Sequence, residues 1–294
     1  MEMLKQAIVR YAEVHVGEDG VALTPLPGVR MMCVHRPRGP MHSIYKPLVC
    51  LVLQGAKQMT VGVETATFRA GQSVVVTLDA PVAGRIVEAS PEAPYLALAV
   101  ELDMAALQDL AAELAPTPAP GDRIAPALFA EDTEAATLDC AMRLMRLLDH
   151  PEAAPALQPG IVRELHYWLL AGRHGAAIRA LAHPDSGARR IAAAIRILRQ
   201  DYPTSLPVER LAEAAGMSTS VFHRRFKAMT SLTPVQFQKQ LRLVEARRLM
   251  RAEGVTASRA AFEVGYESAS HFTRDYRRMY GAPPRRDTAQ AASR

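Results

Sequence analysis

Two stretches in the last third of this chain repeat one another at a constant offset of 50 residues, and that duplication restricts the fold more than any other feature. A serine (Ser218, Ser268) is followed four residues on by an aromatic (Phe222, Phe272), then by an arginine (Arg224, Arg274) and a second aromatic (Phe226, Tyr276). Aromatics spaced i, i+4 share one face of a helix and turn together toward a core. Serine is a favoured N-cap, and a glycine stands shortly before each one (Gly216, Gly265), where a left-handed residue ends one helix and lets the next begin at a steep angle. Helix, tight turn and second helix, once over Leu206–Lys227 and again over Thr256–Arg277, make a duplicated helix-turn-helix layout.

The surrounding sequence is helical in texture from Arg189 on. Ile191–Tyr202 reads as a helix stopped by Pro203, and Val208, Leu211, Ala212 and Ala215 follow the spacing of a buried helix face. Pro234 opens a long helix through about Met250, some 25 Å at about 1.5 Å per residue, long enough to hold the two copies apart as a strut. Charge separates along the chain. From Ala188 to the end there are 20 Lys and Arg against 9 Asp and Glu, a formal +11, leaving 15 against 21, or −6, in the rest of the 294 residues. A basic C-terminal part beside an acidic N-terminal one is the footprint of a nucleic-acid binder carrying a second function, although a solvated basic face has the same composition.

Residues 21–100 read differently. Val29–Val34, Leu48–Leu53, Met59–Val63, Ser73–Leu78, Gly84–Val87 and Tyr95–Val100 are short apolar runs separated by turn residues, which predicts strands in a barrel or sandwich. An amphipathic opening (Leu4, Ile8, Tyr11) precedes them. Glu101–Leu114, Glu134–Leu148 and Ile161–Leu170 have helical spacing, with Ala115–Gly121 a proline-rich loop. The expected division is a sensor and dimerisation domain over 1–172, a linker over 173–190 and a DNA-binding domain over 191–294. No apolar run reaches the roughly 20 residues of a membrane span, and no signal-peptide pattern is present, so a cytoplasmic location without membrane contact is expected. Cys33, Cys50 and Cys140 are too scattered for a disulfide framework or a structural zinc site.

A recognition helix anchors one face and frees the other. The free positions are Thr219, Ser220, His223, Arg224 and Lys227 in the first copy, and Ala269, Ser270, Thr273, Arg274 and Arg277 in the second. Arginine recognises guanine through two parallel hydrogen bonds, which makes Arg224 and Arg274 base-reading candidates, with a phosphate clamp or an internal ion pair as the competing roles. Lys227, Thr273, Arg277 and Arg278 are phosphate candidates. The run FHRRFK (Phe222–Lys227), Thr233–Pro234, RLVEARRL (Arg242–Leu249), VGYES (Val264–Ser268) and Pro283–Pro284 together resemble the DNA-binding domain of the AraC/XylS transcription regulators. The resemblance covers about a hundred residues in the right order. It implies two helix-turn-helix subdomains reading successive major-groove segments of double-stranded DNA, with base contacts at Ser220, His223, Arg224, Ser270 and Arg274. Ala269 departs from the polar choice at its position, which implies fewer base contacts by the second subdomain.

Tyr45–Pro47, VLQGAK (Val52–Lys57), LDAPV (Leu78–Val82) and Pro94–Leu96 resemble the sensor domain of one subgroup of that family. That implies a cupin-like β-barrel with accessory helices ahead of the all-α domain, hence an α+β multidomain chain, a homodimer, an unidentified small-molecule effector and a contact with RNA polymerase. No HxH metal motif appears, and His35 and His42 stand alone, so no metal, cofactor or catalytic residue is expected. Cys50, with Cys33, is the candidate effector-sensing thiol if burial leaves it accessible and acidic; a structural thiol is the alternative. Two rival functions remain open: a cupin-type metalloenzyme with an attached DNA-binding domain, and a constitutive architectural protein whose barrel only dimerises.

Overall fold

The computed structural model describes residues 1–17, 19–114, 128–173, 175–183 and 186–292. The expected proline-rich loop 115–121 lies outside them. The chain divides into two compact units, one of Met1–Met41 with Tyr45–Arg189, the other of His42–Ile44 with Arg190–Arg294.

The first unit runs through α1 (Glu2–His15), β1 (Val21–Leu23), β2 (Val29–Val34), β3 (Arg38–Tyr45), β4 (Leu48–Gln54), β5 (Ala56–Val61), β6 (Glu64–Arg69), β7 (Gln72–Val76), β8 (Ala80–Glu88) and β9 (Tyr95–Glu101). It continues with α2 (Met104–Glu113), β10 (Leu128–Asp132), α3 (Ala135–Leu147), α4 (Ala154–Ala171) and α5 (Gly175–Ala182). Six strands form one sheet in the order β1-β2-β9-β4-β7-β10, and four form another in the order β3-β8-β5-β6. In place of the expected cupin-like barrel the strands form two sheets, and hydrogen bonding does not close them. The chain changes sheet at Gly55, whose φ of 73° and whose close approach to the Glu88 carbonyl leave no room for a side chain.

The six-stranded sheet is buried on both faces, which explains its nearly continuous apolar strands. Val49, Leu51, Val75, Leu96, Leu98 and Cys33 face a core shared with α1 to α5, while Leu48, Val52, Val74, Val76, Tyr95 and Ala97 face Met59, Phe68, Val82 and Ile86 of the smaller sheet. Four strands escape the sequence reading for a matching reason. In β3 no residue is buried and in β6 only Phe68 is, so neither has an apolar period to detect; β1 has three residues, and β10 is an edge strand with none buried. Glu101, expected to open a helix, ends β9 instead. The helix begins at Met104 because the Asp103 carboxylate accepts hydrogen bonds from the Ala105 and Ala106 amides. Within residues 173–190, the expected linker, α5 contributes Ile178 and Ala182 to the first core.

The second unit is helical: α6 (Gly187–Gln200), α7 (Val208–Ala214), α8 (Thr219–Thr230), α9 (Pro234–Ala252), α10 (Ala257–Glu263), α11 (Ala269–Tyr280) and α12 (Pro284–Ala292). α9 is the expected strut, about 28 Å long at about 1.5 Å per residue. Its start is set by a capping box in which the Thr233 hydroxyl and the Gln236 side chain each accept from the other residue's amide, with Pro234 following.

Candidate nucleic-acid interface and interior cavity

The two helix-turn-helix pairs, α7–α8 and α10–α11, turn on glycines with φ of 58° (Gly216) and 86° (Gly265). Both second helices are 12 residues long and end in a left-handed residue, Ser231 in the first and Gly281 in the second. Phe222 and Phe226 are fully buried under α8, as are Phe272 and Tyr276 under α11, so the i, i+4 faces point into the cores as expected. Ser268 caps α11 by accepting from the His271 amide, whereas Ser218 holds the same position on α8 without a side-chain cap.

That burial turns the opposite faces outward. Ser220, His223, Arg224 and Lys227 on α8 are exposed, as are Ser270, Thr273, Arg274, Arg277 and Arg278 on α11; Ala269 is half-buried. The side chains of Arg224, Lys227, Arg274 and Arg277 make no hydrogen bond or ion pair among the described residues, which leaves the two central arginines without an internal ion pair there. Arg278 lies 3.4 Å from Asp275, and the Thr273 hydroxyl donates to the Ala269 carbonyl at 2.8 Å. Asp275, the single acid of α11, is buried and bonded to Lys239 of α9 at 2.8 Å. The exposed faces of both helices therefore carry only positive formal charge.

Arg242 of α9 is a positioning residue that sequence reading left unassigned inside the RLVEARRL run. Its guanidinium donates to the carbonyls of Tyr202 (2.7 Å), Thr204 (2.9 Å) and Gly265 (2.9 Å), tying the loop before α7 and the turn of the second pair to the strut. Five donors in a fixed plane suit arginine to that task. Gly265 is packed so tightly there that a Cβ would stand 1.8 Å from the Pro203 carbonyl oxygen.

The first unit contains a cavity between its sheets. Its apolar wall includes Leu48, Val52, Met59, Phe68, Val74 and Val76, and its polar groups come from Tyr45, Cys50, Lys57 and Tyr95. Cys50 thus faces the cavity while Cys33 packs on the other side of the same sheet, 3.6 Å from His35 Nε2, so the two thiols are not brought together. Burial raises the pKa of both. Lys57, only 4% exposed, is the polar group that the sequence reading missed. The signal was period two: Val61, Met59 and Lys57 fall on one face of β5, and the first two are plainly core. Among the described residues no group of three or more His, Cys, Asp or Glu is arranged to hold a metal ion, and no helix is long and apolar enough to cross a membrane.

Residues 25–177 match the family model of the AraC-type transcriptional regulator N-terminus, and residues 211–290 match that of a helix-turn-helix domain. Curated relatives include the HTH-type transcriptional activator RhaS of Escherichia fergusonii, 28% identical over 151 residues that cover 51% of this chain and 53% of the relative. RhaS of Salmonella schwarzengrund is 31% identical over 88 residues, covering 30% and 32%. The chain spans about half the length of these relatives, or less. Among solved structures, ToxT of Vibrio cholerae bound to an unsaturated fatty acid is similar with a TM-score of 0.57 and 8% identity, covering 87% of this chain and 92% of that one. ToxT of strain O395 gives a TM-score of 0.54 at 8% identity, over 91% and 96%. At that identity the likeness concerns the fold alone.

Proposed function

The chain belongs to the AraC family of transcriptional regulators, and from that premise we propose that its second unit binds a specific double-stranded DNA site under the control of a small molecule held in its first. The observation that carries this reading is the pair of recognition helices whose outward faces hold unpaired Arg224 and Arg274. An unpaired arginine at the exposed face of such a helix is free to bind guanine O6 and N7. Ser220, His223 and Arg224 read bases in one major-groove segment, and Ser270 and Arg274 read fewer in the next. Lys227, Thr273, Arg277 and Arg278 hold phosphates. The Thr273 hydroxyl, bonded to its own helix, keeps its acceptor capacity but its one donor is engaged, so its share of the phosphate contact is the weakest of the four.

In this reading residues 1–172 sense and dimerise, 173–190 connect and 191–294 bind DNA, with RNA polymerase as the partner of an activating complex in the cytoplasm. That ToxT is known bound to a fatty acid supports a small-molecule effector for a chain of this fold. Cys50 contributes as a wall of the cavity, and its raised pKa argues against a standing thiolate that would trap electrophiles. Cys33 has a raised pKa too and lies away from the cavity, so it is the weaker sensing candidate. The metalloenzyme alternative receives no support from the relatives, which are described as regulators.

Selection of fragments from genomic DNA by the purified chain tests the proposal. A recurrent asymmetric motif spanning two adjacent major-groove segments is expected, with Arg224→Ala weakening binding roughly 5- to 150-fold, the equivalent of about 1–3 kcal/mol. Recovery of fragments without a common motif, at affinities set by salt alone, would contradict it.

A further inference from the structure

Phe237 and Lys239, two residues apart on α9, each touch a different recognition helix. Side chains two residues apart leave a helix on nearly opposite sides, about 200° around it at 3.6 residues per turn. Phe237 is fully buried against Phe226 of α8, with ring centroids 5.5 Å apart. Lys239 Nζ lies 2.8 Å from Oδ2 of Asp275 on α11, the residue that directly follows Arg274. The link is not part of the repeated unit: 50 residues before Asp275 stands Arg225, of opposite charge.

The rest of α11 is rooted farther along the strut. Phe272 and Tyr276 pack in a core whose α9 members are Leu243, Ala246, Leu249 and Met250, and the Tyr280 hydroxyl donates to the Leu243 carbonyl at 3.3 Å. That core holds α11 to the later turns of α9, whereas Lys239 holds it to the turn that carries α8. The Asp275 side chain is 9% exposed, and its other partners are longer, Arg278 at 3.4 Å and the Tyr266 hydroxyl at 3.5 Å. A carboxylate that far out of water keeps its shortest ion pair, because losing the partner leaves the charge uncompensated. Lys239 is 47% exposed, so its head group can be replaced without opening a core.

We infer that Lys239 and Asp275 are a positioning pair that fixes the angle between the two recognition helices, and with it the number of base pairs the chain accepts between the two segments of its DNA site. This rests on the reading of both helices as base readers. One base pair inserted between the segments moves the second by about 3.4 Å and turns it by about 35° around the duplex. A helix tied to Lys239 cannot follow that turn, whereas one released from it pivots on its own core.

The test measures binding of the full chain to the site that the wild type selects, and to versions with one base pair inserted or removed between the two segments. The proteins compared are the wild type, Lys239→Met, Lys239→Arg and Asp275→Asn, each with its melting temperature. The wild type is expected to bind the displaced sites about 20-fold or more less tightly, since a single misread base pair already costs about 5- to 150-fold. Lys239→Met should narrow that ratio to about fivefold or less, and Asp275→Asn should narrow it in the same direction. Lys239→Arg should keep the wild-type ratio, because a guanidinium reaches the same carboxylate. Earlier melting of Lys239→Met and Asp275→Asn with unchanged ratios would make the pair merely structural and overturn the inference. Weaker binding of Lys239→Met by the same factor at every spacing, with a smaller salt dependence, would make Lys239 a phosphate contact and overturn it too. A wild type that selects no recurrent site would instead strike the proposed function, and the inference with it.

Discussion

The two helix-turn-helix copies differ most at one pair of equivalent positions, Phe226 with Phe237 in the first and Tyr276 with Asp287 in the second, each pair again 50 residues apart. In the first copy the pair is a buried aromatic contact, ring centroids 5.5 Å apart at 78°. In the second, the tyrosine hydroxyl donates to the aspartate at 2.7 Å, and Arg247 grips the same carboxylate with two hydrogen bonds of 2.8 and 2.7 Å while Arg251 adds a third. One copy is held by apolar packing, which is insensitive to pH and salt. The other places a carboxylate that is 8% exposed at the centre of a charged network, and so depends on every partner being present and ionised.

The sharpest way to break the comparison is Asp287→Ala. It strands Arg247, 18% exposed at its side chain, and should cost about 3–5 kcal/mol, read as loss of amide-exchange protection in α10 to α12 with α7 and α8 unaffected. Combining it with Arg247→Met should recover much of that loss. Failure to recover any would mean that the carboxylate acts through something other than its charge.

The turn glycines come next. Gly265→Ala meets left-handed strain of about 1–2 kcal/mol and a backbone collision that adds about 1–3 kcal/mol more, whereas Gly216→Ala, with nothing within 4 Å of its added carbon, meets the strain alone. Equal losses of stability in the two variants would show that packing against Pro203 is softer than its geometry implies. Ser268→Ala should cost about 1 kcal/mol, and Ser218→Ala only a small part of that, because one serine makes its cap bond and the other does not. Thermal melts of the pair decide it.

The smallest expected effect is acid sensitivity. Burial alone would raise the Asp287 pKa, but its bonds to Arg247 and Tyr276 win and hold it below the usual carboxylate range. A depressed folded pKa gives stability that is fully present above the unfolded value of about 3.9 and fades as pH falls through the folded one. Exchange protection should therefore be lost below about pH 4 in the second copy before the first, and Asp287→Asn should remove the difference. Simultaneous loss would contradict the assignment of the network.

Much of the second unit was legible because its signals are local: aromatic spacing, turn glycines, and Pro234 at the start of the long helix are all read within a few residues. Even so, Ser218 and Ser268 look alike in sequence and differ in whether they cap. The first unit was less legible because its logic is long-range. Edge strands such as β6 bury a single residue and leave no period. Whether strands close into a barrel is decided where the chain changes sheet, as at Gly55, and not by their number. Cys33 and Cys50 read as equivalent candidates until the sheet separates them onto opposite faces, and Lys57 becomes notable only when its inward register on β5 places it in the wall of the cavity.

The central claim is that both copies read bases and that Arg224 and Arg274 are their readers. Base preference should be measured by selection from random DNA with wild type, Arg224→Ala and Arg274→Ala. The account predicts that each variant relaxes preference at its own position, the two lying about one helical turn, or about 10 base pairs, apart, while preference elsewhere in the motif stays. Uniformly weaker binding with an unchanged motif and a smaller salt dependence would contradict it, making both arginines phosphate contacts.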